Sequence, residues 1–339
     1  KRLHIERGLG GDTCVYAPEL YRAEKRSADS LLRRAAVDHK SLAFYVAMKA
    51  KYPKSRKRMK TMAKELVLQT AEDLGLQLSK AQEQGVINAL LNPVSIITGL
   101  PGTGKTTSLK VLVRALQEAG FRTKGDEMSQ ILLMAPTGIA AKRMSALTGV
   151  EAFTVHRGLG GKPKGALQQS AGSYVGQTGL TRSEGWNASE WSFGPDNTHP
   201  ATFVVIDESS MVDLDMLYRI MSGVDEGAHL VFMGDAAQLP SVGPGNVLRD
   251  LVRSEVFPTS HLTEIFRQDG TSDIVTAAHA IHDGEVPSVG GDFRLLSVGT
   301  ETEALKVIQK VTQKLFEKGM NFQVLSPRHA GDAGVTNLN

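Results

Sequence analysis

The residues best suited to chemistry are three glycines, Gly99, Gly102 and Gly104, followed directly by Lys105, Thr106 and Thr107. Glycines let backbone N–H groups curl toward an anion, and the helix that follows adds the positive end of its dipole. Pro93 to Ser108 has that form: a short apolar strand, the loop Gly99-x-x-x-x-Gly104-Lys105-Thr106, then helical spacing to about Glu118. Gly99, Gly102, Thr103 and Gly104 form the expected cradle. Lys105 then reaches the β- and γ-phosphates, Thr107 joins the nucleotide site, and the Thr106 hydroxyl holds Mg²⁺. The chemistry implied is that of nucleoside triphosphates.

Such chemistry needs carboxylates, and Val204-Val-Ile-Asp207-Glu208 puts two just past an apolar strand. Asp207 is assigned to the metal and Glu208 to the attacking water. Gln238, in Gly234-Asp235-Ala-Ala-Gln238-Leu-Pro240, suits the γ-phosphate or the water; a loop amide capping backbone groups is the plainer alternative. Arg267, in Leu262-Thr-Glu264-Ile-Phe266-Arg267, suits developing phosphoryl charge or an ion pair with Glu264. Upstream, Gln82 has an amide able to read an adenine edge, while Ser79 before it reads equally as a helix cap.

The elements that must position these groups alternate. Apolar runs Val94–Thr98, Ile131–Ala135, Thr202–Ile206 and His229–Met233 are separated by helical stretches. Nearly continuous apolar strands of this kind predict an α/β fold with a parallel sheet covered on both faces and ligands at the carboxyl ends of its strands. Residues 1–75 read as a mainly helical accessory region, with a hairpin over His4 to Tyr16 and a helix after Pro18. Residues 76–264 form the first α/β domain, interrupted at 158–200 by a stretch rich in small polar residues that holds Trp186 and Trp191. Either tryptophan suits base stacking or a satellite core. Residues 265–339 begin a second α/β domain with strands at Phe293–Ser297 and Phe322–Ser326 around a helix over about 301–318. That domain is expected to stop before its sheet is complete.

Composition narrows the class. With 41% apolar and 22% charged residues the chain reads as globular, and no apolar run is long enough for a membrane span. One cysteine, Cys14, excludes an intramolecular disulfide and predicts a reducing, cytoplasmic setting. The net charge of +3 permits a nucleic-acid partner without requiring one. A basic run from Lys51 to Lys64 reads as a solvated helix face or a nucleic-acid contact. Pro136, Thr137 and Lys142, with Arg143, end the second strand and open a helix, a place suited to a backbone phosphate. Thr154 and His156 form a second polar cluster before the irregular stretch.

Taken in order, the blocks GLPGTGKTT, APTGIAAKRM, TVHRGLG, VVIDESSMVDL, GDAAQLPSVGPGNVLRDL and LTEIFRQ resemble the RecD-like superfamily-one (class B) DNA helicases. The resemblance runs from about Tyr16 to Asn339. It implies two RecA-like motor domains, the second only partly present, with ATP and Mg²⁺ between them. It implies 5′-to-3′ movement on single-stranded DNA, with action at single/double-strand junctions, and a pin-bearing domain at 158–200. It further implies Gln82 as adenine reader, Gln238 as the link between hydrolysis and DNA, Arg267 as an arginine finger, and Thr137 and His156 on the DNA track. The family's later motifs do not occur before Asn339, which leaves turnover by this chain alone an open expectation. Two rival readings stand beside it: the helicase part of a conjugative relaxase, and a non-catalytic DNA-binding scaffold.

Overall fold

The computed structural model describes residues 3–7, 12–55, 57–123, 130–161, 191–264 and 272–339. It divides into two compact units, Lys1–Arg267 and Gln268–Asn339.

The first unit opens with an antiparallel pair, β1 (His4–Arg7) and β2 (Thr13–Tyr16). Helix α1 (Pro18–Ala35) follows, with proline and Glu19 in its first turn and Arg33 and Arg34 in its last, each on the side its dipole favours. Helices α2 (Ala43–Lys51) and α3 (Met59–Asp73) lead to α4 (Lys80–Leu91), which starts at a capping box of Ser79 and Gln82. Strand β3 (Val94–Gly99) then enters the glycine loop and α5 (Lys105–Glu118) leaves it. Next come β4 (Ile131–Ala135), α6 (Gly138–Thr148), β5 (Ala152–Thr154) and the single turn α7 (Val155–Gly158). The unit closes with β6 (Phe203–Ile206), α8 (Leu214–Gly223), β7 (His229–Gly234), α9 (Val247–Arg253) and β8 (Thr259–Leu262).

Strands β3 to β8 form one sheet in the order β5-β4-β6-β7-β3-β8, and every pairing is parallel. All six carboxyl ends therefore share one edge. Side chains alternate between two buried cores. Ile97, Leu133, Val205, Val231 and Met233 pack with α3, α4, α5 and α6 on one face. Ile96, Leu132, Met134, Val204, Leu230 and Phe232 pack with α1, α8 and α9 on the other. The parallel α/β sheet expected from the apolar runs is present; β5 and β8, three and four residues long, join it at the two margins.

The N-terminal helices share these cores. Phe44, Met48, Met62 and Val67 lie in the same buried cluster as Leu112 and Leu116 of α5. On the opposite face Arg34 of α1 is fully buried and donates to the carbonyls of Asp225 and, at 2.7 Å, Val224. Burial lowers its pKa to about 10.

The second unit holds α10 (Asp273–His282), α11 (Glu301–Glu317) and a final turn, α12 (Val335–Leu338). The strands expected at 293–297 and 322–326 are absent. Leu296, Val298, Phe322 and Val324 line a cleft with α11, yet no backbone hydrogen bonds join the segment at 293–297 to that at 322–326. A strand needs a paired neighbour, so an apolar, β-prone sequence stays irregular here. Among the described residues no helix is long and apolar enough to cross a membrane.

Candidate active site

The glycine loop is held in shape by close approach and by left-handed backbone. Gly104, the N-cap of α5, has φ 83°, a region that side chains resist. A Cβ on Gly99 would lie 2.6 Å from both the Leu262 carbonyl oxygen and Thr103 Oγ1, so only glycine lets β3 pass β8 there. Thr103 is buried and donates at 2.8 Å to the Leu100 carbonyl, pinning the loop from within. No side chain caps α5, so its first N–H groups face the loop, the usual geometry of an anion site.

Lys105 is half-buried. Its Nζ donates to the carbonyls of Gly99 and, at 3.1 Å, Leu100. Burial lowers the lysine pKa, and the nearby carboxylates of Asp235, Glu208 and Asp207 act against that shift. Thr106 and Thr107 are half-buried on the first turn of α5.

Two strand ends supply those carboxylates. Asp207 ends β6; its N–H donates to Met134 of β4 at 3.0 Å, and its Oδ1 accepts from the Glu208 N–H at 2.9 Å. Burial raises its pKa. Glu208 has φ 51° and ψ 39°, a left-handed conformation that a non-glycine residue holds only against strain. Asp235 ends β7 and is 2% exposed. Its Oδ1 accepts from Ala237 N–H at 2.9 Å, while Oδ2 is buried with no hydrogen-bond partner. The same turn is tied to the P-loop strand, because Ala236 N–H donates to Thr98 Oγ1 at 3.2 Å. Gln238 stands exposed at the end of that turn, its N–H bonded to the Asp235 carbonyl at 3.2 Å.

Sequence reasoning gave Asp235 no role, although its signal matched that of Asp207: a carboxylate directly after an apolar strand. Arg143 belongs with it. Its position after β4 suits phosphate contact, and it is near enough to Lys105 and Asp207 to act on the charge of both.

Gln82, expected to read adenine, is buried beside the glycine loop. It is 1% exposed, its Oε1 accepts from Ser79 N–H at 2.8 Å, and its Nε2 donates at 3.3 Å to the carbonyls of Thr103 and Gly104. In this structure the amide bonds the helix cap and the backbone of the glycine loop. Arg267 and Trp186 lie outside the described residues.

The residues expected to meet DNA sit on the same edge of the sheet, farther along. Pro136 and Thr137 follow β4, and Thr154 ends the neighbouring β5, with Ala135 in register with Thr154. Both threonines are helix N-caps: Thr137 Oγ1 accepts from Ala140 N–H at 3.3 Å and Thr154 Oγ1 from Arg157 N–H at 3.2 Å. Lys142 and His156 are exposed. The His156 ring lies 5.3 Å from that of Trp191, and Arg219 lies 5.0 Å over the same indole. Trp191 packs against the core, half-buried.

The donors at Thr106 and Asp207 are hydroxyl and carboxylate oxygens, the set Mg²⁺ prefers. Among the described residues no group of three or more His, Cys, Asp or Glu is arranged to hold a metal ion alone.

The profile of the AAA domain family matches residues 77–298. Over 247 residues the chain is 31% identical to the ATP-dependent RecD2 DNA helicase of Deinococcus radiodurans, covering 72% of this chain and 29% of that protein. It is 34% identical over 180 residues to the RecBCD enzyme subunit RecD of Mycobacterium tuberculosis, covering 48% and 27%. For RecD of Haemophilus influenzae the figures are 33% over 182 residues, covering 53% and 27%. The chain thus spans less than a third of the length of these relatives.

Proposed function

The chain belongs to the AAA domain family, and from that premise and its RecD-type relatives we propose that it is motor sequence of an ATP-dependent DNA helicase. The observation that carries the proposal is one shared sheet edge. Lys105 opens α5 after the loop that leaves β3, the Asp207–Glu208 pair and Asp235 follow β6 and β7, Thr137 follows β4, and Thr154 ends β5.

The roles follow from placement. N–H groups of the Gly99–Thr106 loop and the start of α5 bind the triphosphate, with Lys105 on its β- and γ-phosphates. Thr106 and Asp207 hold Mg²⁺, which supplies neutralisation of phosphate charge when bound. Glu208, directly after β6 and in a left-handed backbone conformation, takes the proton of the attacking water. Asp235 and Arg143 set the field around Lys105. Gln238, at the exposed end of the turn that Asp235 builds, carries the state of the γ-phosphate outward. Arg267 is the proposed guanidinium for developing charge. Gln82 holds the P-loop backbone, and reading adenine would require it to release those bonds.

Pro136, Thr137, Lys142, Thr154 and His156 grip the backbone of single-stranded DNA, and movement is proposed to run 5′ to 3′ toward single/double-strand junctions. The single half-buried Cys14 supports a reducing, cytoplasmic setting.

The test is ATP hydrolysis with and without single-stranded DNA, then unwinding of duplexes tailed at either end. Stimulation by DNA together with unwinding from a 5′ tail is expected. Hydrolysis indifferent to DNA would overturn the motor reading, and unwinding from a 3′ tail alone would reverse its direction.

A further inference from the structure

Charge is distributed very unevenly along this chain. The fourteen residues 51–64 hold seven of its 39 basic residues and none of its 36 acidic ones. The remainder, 32 basic against 36 acidic, is net negative, so the overall +3 is the product of one corner. That corner is the end of α2, the connection after it and the start of α3. Lys51, Lys54, Lys57, Arg58, Lys60 and Lys64 are all exposed there.

Some of these cations already have partners. Lys57 pairs with Glu65 at 2.7 Å, Lys64 with Glu83 at 2.9 Å, and Lys51 Nζ donates to the Glu118 carbonyl. Lys54, Arg58 and Lys60 have no acidic partner among the described residues. Moreover, α3 has Arg58 at its N-cap, with no side-chain cap and no acid in its first turn. Cations are thus gathered at the helix end whose dipole repels them, an arrangement that an external polyanion relieves.

We propose that the α2–α3 corner is a second nucleic-acid surface, which docks the phosphate backbone of duplex DNA. The inference rests on the reading of the chain as a DNA motor. Two observations select duplex over single strand. Single-strand platforms add open aromatic faces to their basic groove. Here the two nearby rings, Tyr45 and Tyr52, each already carry a lysine ammonium over one face, Lys49 Nζ at 5.9 Å and Lys51 Nζ at 5.6 Å from their centroids. The corner also lies away from the strand-top track. Lys51 bonds the last residue of α5, whose 14 residues put it about 20 Å from Lys105 at the other end. One surface thus grips the tracked strand, and the other holds duplex by charge alone, without reading sequence.

The test uses the full chain and a blunt, mixed-sequence duplex, with binding measured by anisotropy between about 50 and 200 mM salt. K54Q/R58Q/K60Q is expected to make the slope of log affinity against log salt shallower by about two to three. Single-strand affinity and single-strand-stimulated turnover should stay at wild-type levels. An unchanged slope overturns the proposal, as does wild-type protein that ignores duplex, or an equal loss on single strands. If the triple variant melts early, Lys54→Gln alone must still shift the slope by about one. A normal duplex slope in a protein whose turnover ignores single strands would sink the motor reading and leave this surface standing.

Discussion

Along a single sheet edge, β7 ends at the buried Asp235, whose turn is bonded back to β3, whereas β4 and β5 lead into half-buried threonines that cap the next helices. On the first half, Asp235 Oδ1 holds Ala237, Thr98 holds Ala236, and Gln82 holds the glycine loop. On the second, Thr137 and Thr154 bond only their own helices, and His156 and Lys142 point to solvent. The two halves match two physical tasks. Stabilising a transferring phosphoryl group demands donors fixed in advance, since reorganisation during the step costs rate. Gripping a polymer that must slide demands contacts weak enough to break each cycle.

The largest effect should come from removing the proposed base on the rigid half. Glu208→Gln is expected to lower ATP turnover by about 10²- to 10⁴-fold with or without DNA, while nucleotide affinity changes little. A loss confined to the DNA-stimulated rate would erase the division between the halves.

A pH titration tests whether the halves fold together. His229 begins β7, the strand that ends in Asp235; it is wholly buried, stacked on Phe203, and burial lowers its pKa to about 4. The unfolded chain therefore binds a proton from near the ordinary 6.5 downward while the folded one refuses it. Stability is full above that pH and declines as pH falls toward 4, by roughly 3 kcal/mol in all. Denaturant midpoints should show that decline as one transition. Earlier melting of the β4–β5 half would separate the two.

Glycine substitutions give a smaller and more local contrast. Gly99→Ala puts a methyl 2.6 Å from the Leu262 carbonyl and should cost about 2 kcal/mol, read as a lower melting temperature. Gly138→Ala, at the first residue of α6, meets nothing within 4 Å and should be neutral or stabilising by up to about 1 kcal/mol. Equal costs at both sites would contradict the difference in packing. The smallest effects belong to Thr137→Ala and His156→Ala. Each is expected to raise the single-strand concentration for half-stimulation severalfold, about 1 kcal/mol, and to lower stimulated turnover more than basal.

Much of the rigid half was legible in sequence because its signals are local. Glycine spacing announces the loop, and a carboxylate after an apolar run announces a strand end. What escaped depends on partners far along the chain. Ser79 and Gln82 show a capping box within four residues, but nothing near them reveals that Gln82 also bonds Thr103 and Gly104. Arg34 reads as an ordinary exposed residue at a helix end, since its carbonyl partners at 224 and 225 lie on another element. Strands as short as β5 and β8 give too few residues for periodicity to register. The segments 293–297 and 322–326 show the reverse failure: the residue types suit a strand, and pairing, which no single segment encodes, is missing.

The shared core of the N-terminal helices has a consequence for anyone wishing to trim this protein. Phe44, Met48, Met62 and Val67 are plugs in the same interior as the phosphate-loop helix, and Arg34 latches the far side. A version cut to begin at residue 76 would open both flanks of the sheet to water at once. A shortened chain therefore has to keep α1 to α3, because they are part of its housing.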